Sequence, residues 1–326
     1  MELPYIKIIQ LQARFNFPQT RIKRRKLKFS YSPNPGVLPK SYSPIQLQSI
    51  SSVSTVESSF VIPKHSVPPY VSAKSWAVYS SKGKLLYGKA PDQKREIASL
   101  TKIMTCYAAL DLIDKYSVQW EQKVRISHNA SNLIGTSANL QYGDQVSLIE
   151  LLYGLMLPSG NDAALAIAEY LGCLLNPDSP YKAFINHMNT LAQSLGLKST
   201  TFRNPHGLSI SINTSTALEV CKLAFHTMQN RVFSRVVSTK EYTCKVYNPN
   251  SGYRDLTWKN TNKLLGEEFD GVKTGQTFRA GPCMCVRAKA NPPFFVTVLA
   301  SKSLEARWKE IPKLTAWVKT KLNGAA

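Results

Sequence analysis

Three short groups of residues have the types and spacing that acyl transfer requires. The first is Ser99-Leu100-Thr101-Lys102. Residues three apart share one helical face, so on a helix the Lys102 amine reaches the Ser99 hydroxyl. A serine is a poor nucleophile until a base accepts its proton, and a neutral amine is such a base. A helix start also offers free backbone N–H groups to developing negative charge. The second group is Ser159-Gly160-Asn161, a hydroxyl and a carboxamide two residues apart on a tight turn, able to converge on one pocket. The third is Lys273-Thr274-Gly275. On a strand Lys273 and Gly275 point to one face, and the glycine lets a ligand backbone lie close. Each group alone is ordinary, since S-x-x-K occurs on solvated helices and Ser-Gly-Asn is common turn chemistry. Their order in one chain is the signal.

The elements that must hold these groups can be read from periodicity. Residues 76–79 and 85–87 are short β-rich runs, with residues 81–84 as a hairpin turn between them. From Ser99 the period becomes helical through Ile103, Tyr107, Leu110 and Asp114. Further helices are predicted over residues 147–157, 163–171 with Asp162 as cap, 184–195 ended by Gly196, and 216–229. Strands follow over 241–247, 253–259, 271–277, 283–289 and 294–300, and a helix over about 303–321 closes the chain. Strands at both ends with helices between them predict an α+β layer fold whose sheet joins the two terminal segments.

Longer stretches around the three groups resemble the low-molecular-mass D-alanyl-D-alanine carboxypeptidases of the penicillin-binding class. The likeness is carried by residues 97–105, 157–164, 204–208 (Asn204-Pro205-His206-Gly207-Leu208) and 270–275. The set S-x-x-K, S-x-N and K-T-G is a known signature of penicillin-binding proteins and class A β-lactamases. The resemblance runs from about Ser72 to Val318. It implies the β-lactamase/penicillin-binding transpeptidase-like fold, a five-stranded antiparallel sheet flanked by helices with the site at the sheet's edge. It also implies roles. Ser99 is the nucleophile, Lys102 its base, Ser159 a proton relay to the leaving amine, and Asn161 orients Lys102 and the substrate amide. Lys273 and Thr274 hold the terminal carboxylate, Gly275 gives close approach, and the N–H groups of Ser99 and Gln276 form the oxyanion hole. The implied substrate is a peptide ending in D-Ala-D-Ala, with β-lactams as covalent inhibitors and no cofactor. Many bacterial members carry a further β-rich domain and an amphipathic anchor, whereas this sequence ends at Ala326.

Composition narrows the alternatives. The net charge of +21 over 326 residues is spread along the chain, and no nucleic-acid-binding module is evident, so a basic surface is expected rather than nucleic-acid binding. No run of eighteen apolar residues predicts a transmembrane segment. Residues 1–67 are basic and Ser/Pro-rich, with Glu2 and Glu57 as their acids, and no secretory signal pattern is evident. They are read as a disordered tail, with organelle targeting as the alternative, ahead of a catalytic domain over 68–326. Cysteines 106, 173, 221, 244, 283 and 285 lack disulfide or zinc spacing and are read as mostly buried thiols, Cys283 and Cys285 on one strand face. The five histidines form no H-E-x-x-H, so no metal site is expected, and His206 is assigned to structure. There is no G-x-S-x-G elbow. Rival readings are a β-lactamase, another amidase or esterase on the same fold, and a non-catalytic scaffold. Against the β-lactamase stand the glycine inside Ser159-Gly160-Asn161 and the lack of any acid between Asp178 and Glu219.

Overall fold

The computed structural model describes residues 67–323, so the reading of residues 1–67 as a tail lies outside them but for Val67. The chain runs through β1 (Ser75–Ser80), β2 (Leu85–Lys89), β3 (Arg95–Glu96), a 3₁₀ turn (Ala98–Leu100) and α1 (Thr101–Lys115). It continues with β4 (Lys123–Arg125), α2 (His128–Ser131), β5 (Gln145–Ser147), α3 (Leu148–Met156), α4 (Asn161–Leu175) and α5 (Pro180–Ser194). Then come β6 (Thr214–Ser215), α6 (Ala217–Thr227), α7 (Arg231–Ser238), β7 (Glu241–Asn248), β8 (Gly252–Lys259), β9 (Phe269–Thr277), β10 (Gly281–Ala288), β11 (Phe294–Leu299) and α8 (Leu304–Asn323).

The main sheet has the order β2-β1-β11-β10-β9, antiparallel throughout. It joins the two ends of the chain, as the strand–helix–strand pattern predicts, and leaves β9 at an edge. Period-two alternation divides its residues between two cores. Trp76, Val78, Met284, Val286, Val296 and Val298 pack with Ile311, Leu314 and Val318 of α8. Ala77, Tyr79, Cys283, Cys285 and Phe295 face the helical body that contains α1, α4 and α6. Strands covered on both faces read as continuous apolar runs, which is what residues 294–299 are.

Several elements differ from the sequence reading. The hairpin β7–β8 belongs to a second sheet, β4-β5-β7-β8, not to the main one. Its half-exposed alternation fits a sheet with one wet face. Helix α7 was not predicted, because its apolar residues Val232, Phe233, Val236 and Val237 are too few to establish a period by themselves. Helix α4 begins at Asn161, so Asp162 is inside the first turn and not its cap. All six cysteines are free thiols, and five are buried, while Cys173 is partly exposed. Helix starts elsewhere follow the sequence, with a Ser147/Glu150 capping box on α3 and Thr216 capping α6. Among the described residues no helix is long and apolar enough to cross a membrane.

Helices α4 and α5 meet at Gly172, where an added Cβ would lie 2.0 Å from the Pro180 carbonyl oxygen. Alanine favours a helix over glycine by about 1 kcal/mol, but here the clash outweighs propensity. Gly172→Ala is therefore expected to lower unfolding free energy by about 2 kcal/mol in urea titration. A variant as stable as the parent would show that the two helices do not approach this closely.

Candidate active site

Ser99 lies in the 3₁₀ turn immediately before α1, and Lys102 in the first turn of that helix. The sequence placed both on one helix; the structure puts Ser99 two residues before its first residue, Thr101. The turn is clamped from two sides. Behind it, a Cβ on Gly207 would lie 2.1 Å from the Ala98 carbonyl oxygen. In front, a Cβ on Gly275 would lie 3.0 Å from Ser99 N, so strand β9 runs against the turn. Ala98 takes φ +47°, a left-handed conformation costing a side-chain-bearing residue roughly 1–2 kcal/mol.

Lys102 is fully buried, and its amine touches three acceptors. Nζ lies 2.7 Å from Asn161 Oδ1, 2.8 Å from the His206 carbonyl and 3.1 Å from Ser99 Oγ. Asn161 cannot present its amide the other way round, because Nδ2 donates to the Ile134 carbonyl at 2.7 Å. Both the amide oxygen and the His206 carbonyl only accept. A neutral amine has two protons and one lone pair, so donating to these two leaves the lone pair facing Ser99. The neutral form is also the favoured one. Burial first, and the nearby Lys273 charge second, hold Lys102 well below the ordinary lysine range, with Asp162 opposing.

The His206 carbonyl is held by a loop that side chains build from within. Asn204 Oδ1 accepts from His206 N and Gly207 N, and Asn204 Nδ2 donates to the Leu208 and Ser211 carbonyls. Asn213 accepts from Arg203 N and Asn204 N and donates to Thr101 Oγ1 at 2.9 Å, tying the loop to α1. The imidazole of His206 braces the same loop. Its Nδ1 accepts from Leu208 N at 3.1 Å, and burial, then Lys102, push its pKa down to about 3. What the sequence did not yield is that the backbone of His206 serves Lys102. Carbonyls have no residue type to read, and neither does the Ile134 carbonyl.

The remaining predicted residues gather around this centre. Ser159 takes φ +68°, and its Oγ is buried with no hydrogen-bond partner among the described residues. The Asp162 carboxylate accepts from Ala138 N, Leu140 N and Ser137 Oγ as well as from Ala163 N of its own helix, fixing the loop beside Asn161. Lys273 is buried, donates to the Thr274 carbonyl at 3.0 Å, and is pushed down to about 7 by burial and then by Arg307. Thr274 Oγ1 lies 2.9 Å from Thr261 Oγ1. Arg307 of α8 donates to the Gly275 and Cys283 carbonyls, a contact the sequence gave no sign of. Gln276 is exposed on the edge strand. Among the described residues no group of three or more His, Cys, Asp or Glu could hold a metal ion.

A serine hydroxyl 3.1 Å from a buried lysine amine, under the edge of a five-stranded antiparallel sheet, defines the penicillin-binding/β-lactamase-like class of acyl-transfer fold. Residues 63–302 match the family model described as D-alanyl-D-alanine carboxypeptidase, and the chain belongs to that family. It is 37% identical over 255 residues to a D-alanyl-D-alanine carboxypeptidase of Streptomyces sp. (strain K15), covering 76% of this chain and 87% of that protein. It is 31% identical to D-alanyl-D-alanine carboxypeptidase DacF of Bacillus subtilis (strain 168), over 71% of this chain and 58% of that protein. The crystal structure of the Streptomyces K15 DD-transpeptidase superposes with a TM-score of 0.72 at 36% identity, covering 77% of this chain and 98% of that one.

A buried lysine with a lowered pKa weakens the fold. Below pH 7 the charged Lys273 is buried at full cost. Between there and the ordinary lysine pKa of about 10.4 the unfolded chain binds the extra proton, so the cost fades as pH rises. Lys273→Met is expected to exceed the parent in unfolding free energy by at least ~1 kcal/mol at pH 6, with the gap closing toward pH 10. Urea titrations across this range test it, and a gap that widens with pH would refute it.

Proposed function

We propose that the protein is a serine-type D-Ala-D-Ala carboxypeptidase that removes the terminal D-alanine from peptidoglycan-type peptides through an acyl-enzyme on Ser99. One observation carries the proposal. The Lys102 amine, buried and disfavoured as a cation, has two acceptor-only partners and therefore keeps its lone pair for Ser99 Oγ at 3.1 Å.

The peptide adds as a strand to the free edge of β9. Its terminal carboxylate meets Lys273 and Thr274, with Arg307 adding positive charge behind them. The oxyanion donors are the N–H groups of Ser99 and Gln276. Gln276 stands across from Pro282, which has no N–H, and the Pro282 carbonyl accepts from Ser301 N on its other side at 3.0 Å. Pro282 therefore offers Gln276 no backbone partner, which turns the Gln276 N–H to the free edge. Ser99 Oγ bonds to the carbonyl carbon as its proton passes to Lys102. The C–N bond then breaks while a proton reaches the leaving amine through Ser159, whose unpartnered hydroxyl is free to rotate. Gly275 keeps β9 close to the turn, and Asn161 holds Lys102. Water then releases the shortened peptide; an amine in its place gives transpeptidation, the activity in the name of the Streptomyces K15 structure.

A β-lactamase reading finds no water-activating base in three described acids, Asp162, Glu96 and Glu219. Asp162 is occupied by three donors of the 137–140 loop, and Glu96 by Arg279 and Ser209. Glu219 caps the 199–200 loop through Ser199 N and Thr200 Oγ1. β-Lactams are thus proposed as slow covalent inhibitors, and no nucleic acid as a partner. We assign the catalytic unit to residues 68–326 and leave 1–67 outside it, in keeping with a family match that starts at residue 63.

Ser99→Ala should abolish covalent labelling by a fluorescent penicillin and cut D-alanine release by at least ~10³-fold. An adduct persisting in that variant, located by peptide mass mapping, would displace Ser99 as nucleophile. Deacylation should also discriminate. D-alanine leaves after peptide acylation and opens the site to water, whereas a β-lactam's leaving group stays attached. The peptide is therefore expected to turn over many times while the penicilloyl adduct persists in intact-mass time courses. Equal deacylation rates would move the protein to the β-lactamases.

A further inference from the structure

Four residues fall in one line across the wet face of the second sheet. Arg125 of β4 stands opposite Gln145 of β5, Gln145 opposite Tyr247 of β7, and Tyr247 opposite Tyr253 of β8. Residues directly opposite on antiparallel strands share a face, and three interstrand steps make the row roughly 14 Å long. The residues next to them in sequence, Val124, Val146 and Asn248, are buried, so the row itself points outward. Tyr253 is 70% exposed and Tyr247 37%, with their ring centroids 4.9 Å apart. At the other end the Arg125 guanidinium lies 5.7 Å over the ring of Tyr142, which is 52% exposed and meets His128 edge-on. Asn248 Nδ2 donates to the Tyr142 carbonyl at 3.0 Å, which ties this tyrosine to the end of β7.

A tyrosine pair across two strands steadies a hairpin and needs no ligand. The other rows of this face show the contrast. Lys245 stands opposite Asp255, Thr243 bonds to Thr257 at 2.9 Å, and Glu241 pairs with Lys259 at 3.6 Å. Those rows match their polar groups with one another. The row beside the hairpin turn instead sets aromatic rings at both ends with two planar polar groups between them. Its charge is open as well. The nearby Asp144 is taken by Arg254 and Asn248, and among the described residues Arg125 has no carboxylate partner.

We propose that this row is a binding platform for a glycan strand bearing carboxylates, separate from the serine site and independent of the reaction assigned there. A sugar ring has an apolar C–H face that lies on an aromatic ring and a polar edge that bonds to a carboxamide or guanidinium. The row supplies both, in a line. Its open cation is the complement of a carboxylate on the strand. A nucleic acid asks for a track of cations along its phosphates, whereas this row holds one arginine. An apolar peptide would leave Gln145 and Arg125 unmatched.

The test is fluorescence anisotropy at physiological ionic strength with the full chain carrying Ser99→Ala, so that no reaction intervenes. The probe is a labelled oligomer of alternating β-linked N-acetylglucosamine and N-acetylmuramic acid with free lactyl carboxylates. Tyr247→Ser with Tyr253→Ser should weaken binding about tenfold, on the scale of the apolar area that two rings cover. Tyr253→Phe should keep the affinity within about twofold, since it retains the ring. Arg125→Gln should cost about fivefold with this probe and nothing with an oligomer of N-acetylglucosamine alone, which has no carboxylate. Tyr253 is largely exposed, so Tyr253→Ser by itself, with an expected loss of about threefold, decides the matter should the double variant fail to fold. The basic residues before Val67 are the same in every variant, so only losses at the row count. No binding by the Ser99→Ala chain, or an unchanged affinity in the serine variants at the two tyrosines, overturns the proposal. So does polyuridylate RNA held through the same tyrosines more tightly than the glycan.

Discussion

The geometry of the site depends on one fully buried amine having more acceptors than a neutral lysine has protons. Three oxygens surround Lys102 Nζ, and only the hydroxyl of Ser99 can exchange donor for acceptor. Orientation of the neutral amine thus follows from hydrogen-bond counting alone. Everything nearby serves to keep those oxygens where they are. Ile134 fixes the Asn161 amide, and Asn204 and Asn213 fix the His206 carbonyl through bonds to their own loop and to Thr101. Were either acceptor to move away, the lone pair would be free to turn from the serine.

Such a socket is expensive to fold around. Two lysines lose their water, Ala98 and Ser159 adopt left-handed backbone, and the Ser159 hydroxyl is buried without a partner. Each of these opposes folding by roughly 1–3 kcal/mol or more. The offset lies in the sheet, whose central strands bury both faces, one against α8 and one against the helical body. Close packing at Gly207 and Gly275 then transmits that rigidity to the turn that carries Ser99. Stability is concentrated behind the site so that strain can be held within it.

This division explains what the sequence disclosed. Ser99, Lys102, Asn161 and Lys273 were legible because side-chain type and spacing carry their chemistry, and the structure gathers them. The main-sheet strands were legible as short, nearly continuous apolar runs, because both of their faces are buried. The His206 and Ile134 carbonyls were hidden, since any residue supplies a carbonyl and only tertiary structure says where it points. Asp162 read as a helix cap because local rules favour it there, but its carboxylate finds better donors in residues 137–140, which are distant in sequence. The β7–β8 hairpin was legible as two strands, while its sheet was not, because pairing with β5 rests on a single long-range bridge, Gln145 to Tyr247.

The two lysines also take separate parts in this reading. An empty site holds Lys273 near neutrality at about 7, because burial and Arg307 both disfavour its charge. A substrate carboxylate arriving beside it reverses that balance and favours the cation. The charge on Lys273 is in turn one of the causes that depress Lys102. The arriving carboxylate offsets that charge, so Lys102 owes its neutral form chiefly to burial, the larger cause, whether or not the site is filled. A peptide lacking the carboxylate leaves Lys273 without a counter-charge and loses its anchor, so in this reading selectivity for a chain terminus comes from the buried lysine of β9 and not from the one beside Ser99.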